Sequence, residues 1–389
     1  MLRSEKRILT THAGSLPRPK ELADMFGRLS RREPVDHAVL ARTIEDSTRR
    51  IVKMQLECGI DIGNNGEQPR ESFFSYVQHR MSGFGGVSQR PTFSDIWSYP
   101  SFLESMTMMR SRMKVDLLHA PKAIGKVGYV DRGPLERECA DFLRIAGEMK
   151  PRFAESFMTA PSPGIIAAAM LNEHYSRLED YVMALSEALR VEYEEIASRG
   201  MVLQIDAPDL AMERHVSYAG RSLGDFLSFV DLVVAGINRA LANVPREQAR
   251  LHVCWGNYEG PHNHDVALAD ILPHLMQARV GGVLLSMANP RHEHEYRCLT
   301  SHQIPPDMVV IAGVIDTTTN YIEHPEVVAD RIERVAGSLG DPHRVMAATD
   351  CGFETASGLS MVAEEIVWEK LRALRDGAEI ASRRLFGQR

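Results

Sequence analysis

No apolar run in this chain approaches the length of a membrane span. No basic segment followed by an apolar core and a cleavage site opens it, so export is not expected. No block of lysine and arginine stands out either. The formal charge of −7 is spread along the 389 residues, which argues against nucleic acid as the main partner. Cysteine is scarce: five residues, an odd number, widely spaced. That usage reads as reduced thiols in a cytoplasmic protein, free to bind a soft metal, rather than as a disulfide framework. Cys58, Cys139 and Cys298 stand in no ligand pattern and read as packing residues. No glycine-rich phosphate fingerprint follows the first apolar strand, which argues against a dinucleotide-binding sheet and against an S-adenosylmethionine donor.

What is present is a recurring unit: an amphipathic helix, a glycine, a short apolar strand and a polar loop. It occurs around Cys58-Gly59-Ile60, Arg199-Gly200-Met201 and Gly281-Gly282-Val283. The glycine suits the left-handed residue that ends a helix, and strands apolar throughout suit a parallel sheet covered on both faces. Eight such strands are expected, at 8–14, 60–67, 157–161, 202–206, 251–255, 283–287, 309–315 and 345–350. Eight strands with intervening helices predict an α/β fold of the (β/α)8 TIM-barrel type, with residues 1–389 as one catalytic domain. Asp265 is expected to cap a helix carrying Leu268, Ile271, Leu272 and Leu275, and Pro325 to open another that ends at Gly340. Residues 81–151 form a long excursion between the second and third strands, read as an insertion over the barrel mouth. Its Phe84, Phe93, Trp97, Tyr99 and Phe102 could wall a substrate or simply pack.

Active sites of such barrels lie at the C-terminal strand ends. His252 and Cys254 are two apart, so a strand puts both on one face. With Cys351 at the last strand end they make a three-ligand set with one position left over, the pattern of catalytic zinc. A plain buried strand carrying cysteine is the alternative. Other mouths carry His12 and Ser15, Glu67, Asp206 and Asp350, and a lone aspartate at such a place is usually a helix cap. Polar groups at five of the eight mouths favour a site.

The runs Thr10-Thr11-His12-Ala13-Gly14-Ser15-Leu16-Pro17, Gly66-Glu67, Gln204-Ile205-Asp206, His252-Val253-Cys254 and Asp350-Cys351-Gly352 occur in the order seen in cobalamin-independent methionine synthases. The chain resembles the C-terminal catalytic barrel of that family over nearly its whole length, and looks like the single-barrel branch that includes epoxyalkane–coenzyme M transferases. The resemblance implies zinc (Zn2+) held by His252, Cys254 and Cys351. It implies a substrate amino group bound by Ser15, Glu67 and Asp206, with His12 beside them. The family's glutamate ligand is replaced by Ser286, so water, the substrate thiol or a displaced carboxylate such as Glu293 is expected to complete the shell. The family's proton-shuttling histidine is missing from Asp316-Thr317-Thr318-Thr319, which leaves Asp316 or one of the histidines such as His292 for that work. The implied activity is methyl transfer from a methyl-folate-type donor to a homocysteine-like thiol. The alternatives are alkyl transfer of the epoxyalkane–coenzyme M type, a thiol-binding barrel without turnover, and a metal-free lyase. The implied partners are a small-molecule thiol and an alkyl donor, without nucleic acid or membrane; homo-oligomerisation is compatible with all of these readings.

Overall fold

The computed structural model describes residues 1–110, 114–115, 117, 119–300 and 303–387. Its strands, in chain order, are β1 (Ile62–Gly63), β2 (Met81–Gly85), β3 (Lys122–Tyr129), β4 (Glu155–Pro161), β5 (Val202–Asp206), β6 (Ala249–Val253), β7 (Gly282–Ser286), β8 (Val309–Ile315) and β9 (Val345–Thr349). Seven of them form a parallel sheet in the order β1-β4-β5-β6-β7-β8-β9, and β2 pairs with β3 in a separate antiparallel hairpin. Residues 9–11 close the ring. Thr11 N donates to Ala347 O and Ala347 N to Leu9 O on one side, and Ile62 N donates to Thr10 O on the other. The parallel barrel expected from the sequence is therefore what forms.

Two of the expected strands are shorter than their apolar runs, and the reason is local. Around residue 10 the Asp61 carboxylate accepts the Thr10 amide at 2.9 Å, so a side chain takes a bond that a ladder would use. Only a bridge, Thr10 to Ala347, remains of that strand. β1 stops at Gly63 because Asn64 Oδ1 accepts from Gly66 N at 2.7 Å and Asn65 Oδ1 from Glu67 N at 2.9 Å. These side-chain turns bend the chain out of the sheet.

Each strand divides its residues between two cores. On β6, Ala249, Leu251 and Val253 pack outward under the helices. Ile62, Phe157, Val202, Leu284, Ile311 and Met346 fill the barrel interior. Arg250 lies over the Phe157 ring at 4.0 Å, and its Nε donates to Gln204 Oε1 at 2.8 Å. This inward layer forms the floor on which the site stands.

The helix opened by Pro325 runs Pro325–Leu339 and ends at Gly340 in the left-handed conformation, φ 70°. Asp265, by contrast, does not cap the next helix. The helix Leu268–Leu275 has Ala267 at its N-cap, and the free Leu268 amide is taken by Glu295 Oε1 at 2.7 Å. The excursion also divides. The helix Gly133–Glu148 packs in the outer ring against helices His37–Glu57 and Leu178–Ser198. Phe73, Arg90, Phe93, Met106 and Leu117, from and just before the earlier part, are the ones that wall the barrel mouth. No helix among the described residues is long and apolar enough to cross a membrane.

Candidate active site

Because β6 alternates, His252 faces the barrel axis and Cys254, just beyond the strand, follows it there. β9 delivers Cys351 from across the ring. All three are buried, and their ligand atoms lie within 4.8 Å of one another. The two sulfurs are 3.9 Å apart, well beyond the ~2 Å of a disulfide. His252 Nδ1 sits 2.9 Å from Asp206 Oδ1, which in turn accepts from Gln204 Nε2 at 2.8 Å. Anchoring Nδ1 on a carboxylate makes Nε2, which lies 3.3 Å from Asp350 O, the nitrogen that a metal would take.

The protons describe the same site. Burial pulls His252 down, but the Asp206 hydrogen bond and Cys254 outweigh it and carry the imidazole up to about 10. The Cys351 thiol, and then His252, hold Cys254 well below the ordinary thiol range against its burial. Cys351 itself is held well above that range by the same pairing and by burial. Two sulfurs and an imidazole thus gather around shared hydrogens that a soft cation would displace. Thiolate and imidazole donors with one nitrogen anchored from behind fit zinc.

Ser286, where the resemblance leads one to look for a carboxylate, is buried and donates to Asp350 O at 3.1 Å. It lines a cavity together with Cys254, Cys351, Asp350 and Asp316. The Asp316 Oδ1 accepts from Thr318 N at 2.6 Å, Thr318 Oγ1 at 2.9 Å and Thr319 N at 3.1 Å. Glu293 is not brought to this group. It pairs with Arg331 at 3.5 Å and Arg334 at 3.2 Å, on the rim, with its side chain 39% exposed. His292 is not in the cavity either. Its ring is stacked on Trp255 at 3.9 Å, and its nitrogens lie between Asp265 at 2.8 Å and Glu295 at 3.0 Å.

The adjoining pocket is lined by the cysteines, His252, Asp206, Glu67 and Ser15 together with Phe73, Phe93, Met106, Met212 and Met361. Glu67 Oε1 accepts from Thr159 Oγ1 at 2.8 Å, while its Oε2 is buried without a hydrogen bond. Burial, then the charge of Asp206, pushes this carboxyl up to about 7. Glu67 also has φ 58°, a strained conformation for a residue with a Cβ, and such strain is found where a side chain must be aimed. His12 lies elsewhere. Its Nε2 meets Gln55 Oε1 at 2.8 Å, its ring packs edge-on to Phe157, and burial pushes it down to about 4. It is buried against the helix His37–Glu57 and does not line the pocket.

Arg90, Asn257 and Tyr258 line the pocket and carried no signal in the sequence, since each lies in a loop without periodicity. Asn257 joins two loops, donating to Gly352 O at 2.7 Å and accepting from Thr317 Oγ1 at 3.1 Å. Of the aromatic residues in the excursion, Phe93 stacks on Tyr258 at 4.2 Å, whereas Trp97 and Tyr99 are exposed.

No family model matches the chain. It is similar over 97% of its length to curated proteins named methionine synthase. That of Sulfolobus acidocaldarius is 23% identical over 379 residues, 93% of its own length, and that of Thermococcus kodakarensis 26% over 388 residues, 94% of its own length. Its curated homologues are methionine synthases. The solved B12-independent methionine synthase from Shewanella sp. W3-18-1, in complex with selenomethionine, is similar with a TM-score of 0.73 at 21% identity. The similarity covers 98% of this chain and 99% of that methionine synthase, so the barrel and its excursion belong to one shared fold.

The Asp206–His252 contact makes a prediction of its own. Asp206→Asn leaves the shape unchanged but removes the charge that orients the imidazole. Zinc affinity, measured by competition with a chromogenic chelator, is expected to fall roughly 10–100-fold. An unchanged affinity would remove Asp206 from the metal's support.

Proposed function

We propose that this protein is a zinc-dependent S-methyltransferase that moves a methyl group from a methyl-folate-type donor to a homocysteine-like thiol. The observation that carries this reading is the convergence of His252, Cys254 and Cys351 in the lining of a pocket that also presents Glu67 and Asp206. The methionine synthase names of the homologues support it. His252, Cys254 and Cys351 would hold the metal. When bound, zinc supplies Lewis acidity that keeps a substrate thiol ionised at neutral pH.

The chain's own residues supply the rest. The unpartnered Oε2 of Glu67 and the nearby Asp206 receive the substrate ammonium and so fix where its sulfur lies. Gln204 holds Asp206, and Asp206 holds His252. The aromatic and methionine wall excludes water from the attacking sulfur. The S–CH3 bond forms as the donor's N–CH3 bond breaks, and the donor nitrogen keeps the electron pair and needs a proton. Asp316, a carboxylate in the cavity that reaches both cysteines, is our candidate for relaying that proton in from solvent. His292 and Glu293 have no part in this step, being held in ion pairs away from the pocket.

The test is formation of methionine from homocysteine and a methyl-folate by zinc-loaded protein, followed by mass spectrometry. Absence of product at full zinc loading would refute methyl transfer from that donor. A second reading, alkyl transfer from a strained epoxide to a thiol, is favoured by the compact apolar wall of Phe73, Phe93, Met106 and Met361. Turnover of a short epoxide in the same assay, without turnover of methyl-folate, would select it.

Ser286 leads to a further expected result. A hydroxyl in place of a carboxylate leaves the metal one negative charge fewer around it. Wild type is expected to lose zinc at lower chelator concentration than Ser286→Glu. Equal loss from both proteins would mean that Ser286 does not face the metal.

A further inference from the structure

Beside the thiol cluster, a second group of metal-ligating side chains closes on Asp265, and it contains no sulfur. Asp265 Oδ2 is 2.9 Å from His262 Nδ1 and 2.8 Å from His292 Nε2. Its Oδ1 is 3.1 Å from His215 Nδ1, yet those two atoms form no hydrogen bond to each other or to anything else, and both are buried. His215 and His292 are 1% and 2% exposed. The ligand atoms of His262, Asp265 and His292 lie within 4.8 Å of one another.

We propose that His215, His262, Asp265 and His292 form a second cation site, for a divalent transition metal bound by imidazole and carboxylate alone. The inward nitrogens are half of the argument. The other half is what holds the outward ones. His292 Nδ1 is 3.0 Å from Glu295 Oε2, His262 Nε2 is 3.0 Å from Tyr258 O, and His215 Nε2 is 3.5 Å from the Tyr258 hydroxyl. Tyr258 is fixed in turn by donating to Asp95 at 2.6 Å. Rings held from behind by a carboxylate or a carbonyl, with the free nitrogen turned toward a common point, are how proteins prepare imidazole for a metal. A simple ion pair needs one imidazole per carboxylate. Here three converge, and the geometry leaves one buried donor–acceptor pair unsatisfied. One cation satisfies every inward atom at once.

The donor set narrows the occupant. Imidazole with a carboxylate suits zinc, iron(II) or nickel(II), whereas the thiolates of the first site suit softer metals as well. The second cation would join three segments at the barrel mouth: the turn Glu213–His215, the loop from Tyr258 to Asp265, and the loop bearing His292 and Glu295. Since Trp255 stacks on His292 and follows Cys254 directly, the second site would also steady the loop that carries a ligand of the first.

The experiment strips the full-length protein with chelator, reloads it with zinc alone, removes excess and measures zinc per chain. Wild type is expected to take up a second equivalent. Asp265→Asn should lose one equivalent and keep the other, which Cys351→Ala should lose instead. A single equivalent, lost in Cys351→Ala and kept in Asp265→Asn, overturns the proposal. A single equivalent lost in Asp265→Asn and kept in Cys351→Ala supports it, and it is the thiol site that fails. A second measurement does not depend on the folding of Asp265→Asn. The double variant Cys254→Ala/Cys351→Ala, loaded with cobalt(II), should show visible ligand-field bands without sulfur-to-cobalt charge transfer, and His262→Gln added to it should remove them. A double variant that binds no cobalt overturns the site.

Discussion

Cys351→Ala is expected to abolish stoichiometric zinc at the thiol site and to lower thiol alkylation by roughly 10²–10³-fold or more. Losing a metal that lowers a thiol's pKa removes several kcal/mol of assistance, at about 1.4 kcal/mol per tenfold in rate. The structural basis is that Cys351 is the one ligand of the set delivered by β9, 3.9 Å from Cys254, so nothing else in the cluster replaces it. Elemental analysis and the methyl-transfer assay are to be run on the same sample. Full zinc at this site in the variant, or unchanged turnover, would refute the assignment. Cys58→Ala is the control. Its thiol is buried against Trp368 O, and burial pushes it up to about 11, so it is chemically quiet.

The apparent KM for an amine-bearing thiol is expected to rise by up to about tenfold for each pH unit below neutrality and to be level above pH 7. Glu67 is held up to about 7 by burial and by Asp206. An ammonium group binds its ionised form, so affinity rises with pH as the proton leaves. For the ligand-free chain the sign reverses. A carboxyl raised above its ordinary value of 4.5 contributes stability that is complete below 4.5 and is lost as pH rises through about 7. Glu67→Gln should flatten both profiles. A thiol lacking the amine should show no such slope in wild type. If its slope matched that of the amino thiol, Glu67 would not be reading the amine.

Apolar strands punctuated by glycine, together with the two-residue spacing of His252 and Cys254, were enough to predict the barrel and one face of its site. Both follow from local periodicity, which a sequence displays directly. Distant residues such as Ser15, Glu67, Asp206 and Cys351 could be nominated because each stands at a strand end, and the barrel collects all strand ends in one place. Other features depended on which neighbour reached a given atom first. The strand at residue 10 shrank to a bridge because Asp61 took its amide. The helix Leu268–Leu275 is capped by Glu295, from a different loop, which released Asp265 to face three histidines. His12 and Ser15 are three residues apart, yet one is held against Gln55 of the helix His37–Glu57 and the other lines the pocket. His292 and Glu293 are adjacent, yet one is buried against Trp255 and the other lies on the rim with Arg331 and Arg334. Direction and partnership in loops are set by long-range packing, and no period along the chain encodes them. Periodicity specified the barrel, and tertiary contacts determined which of its polar residues meet.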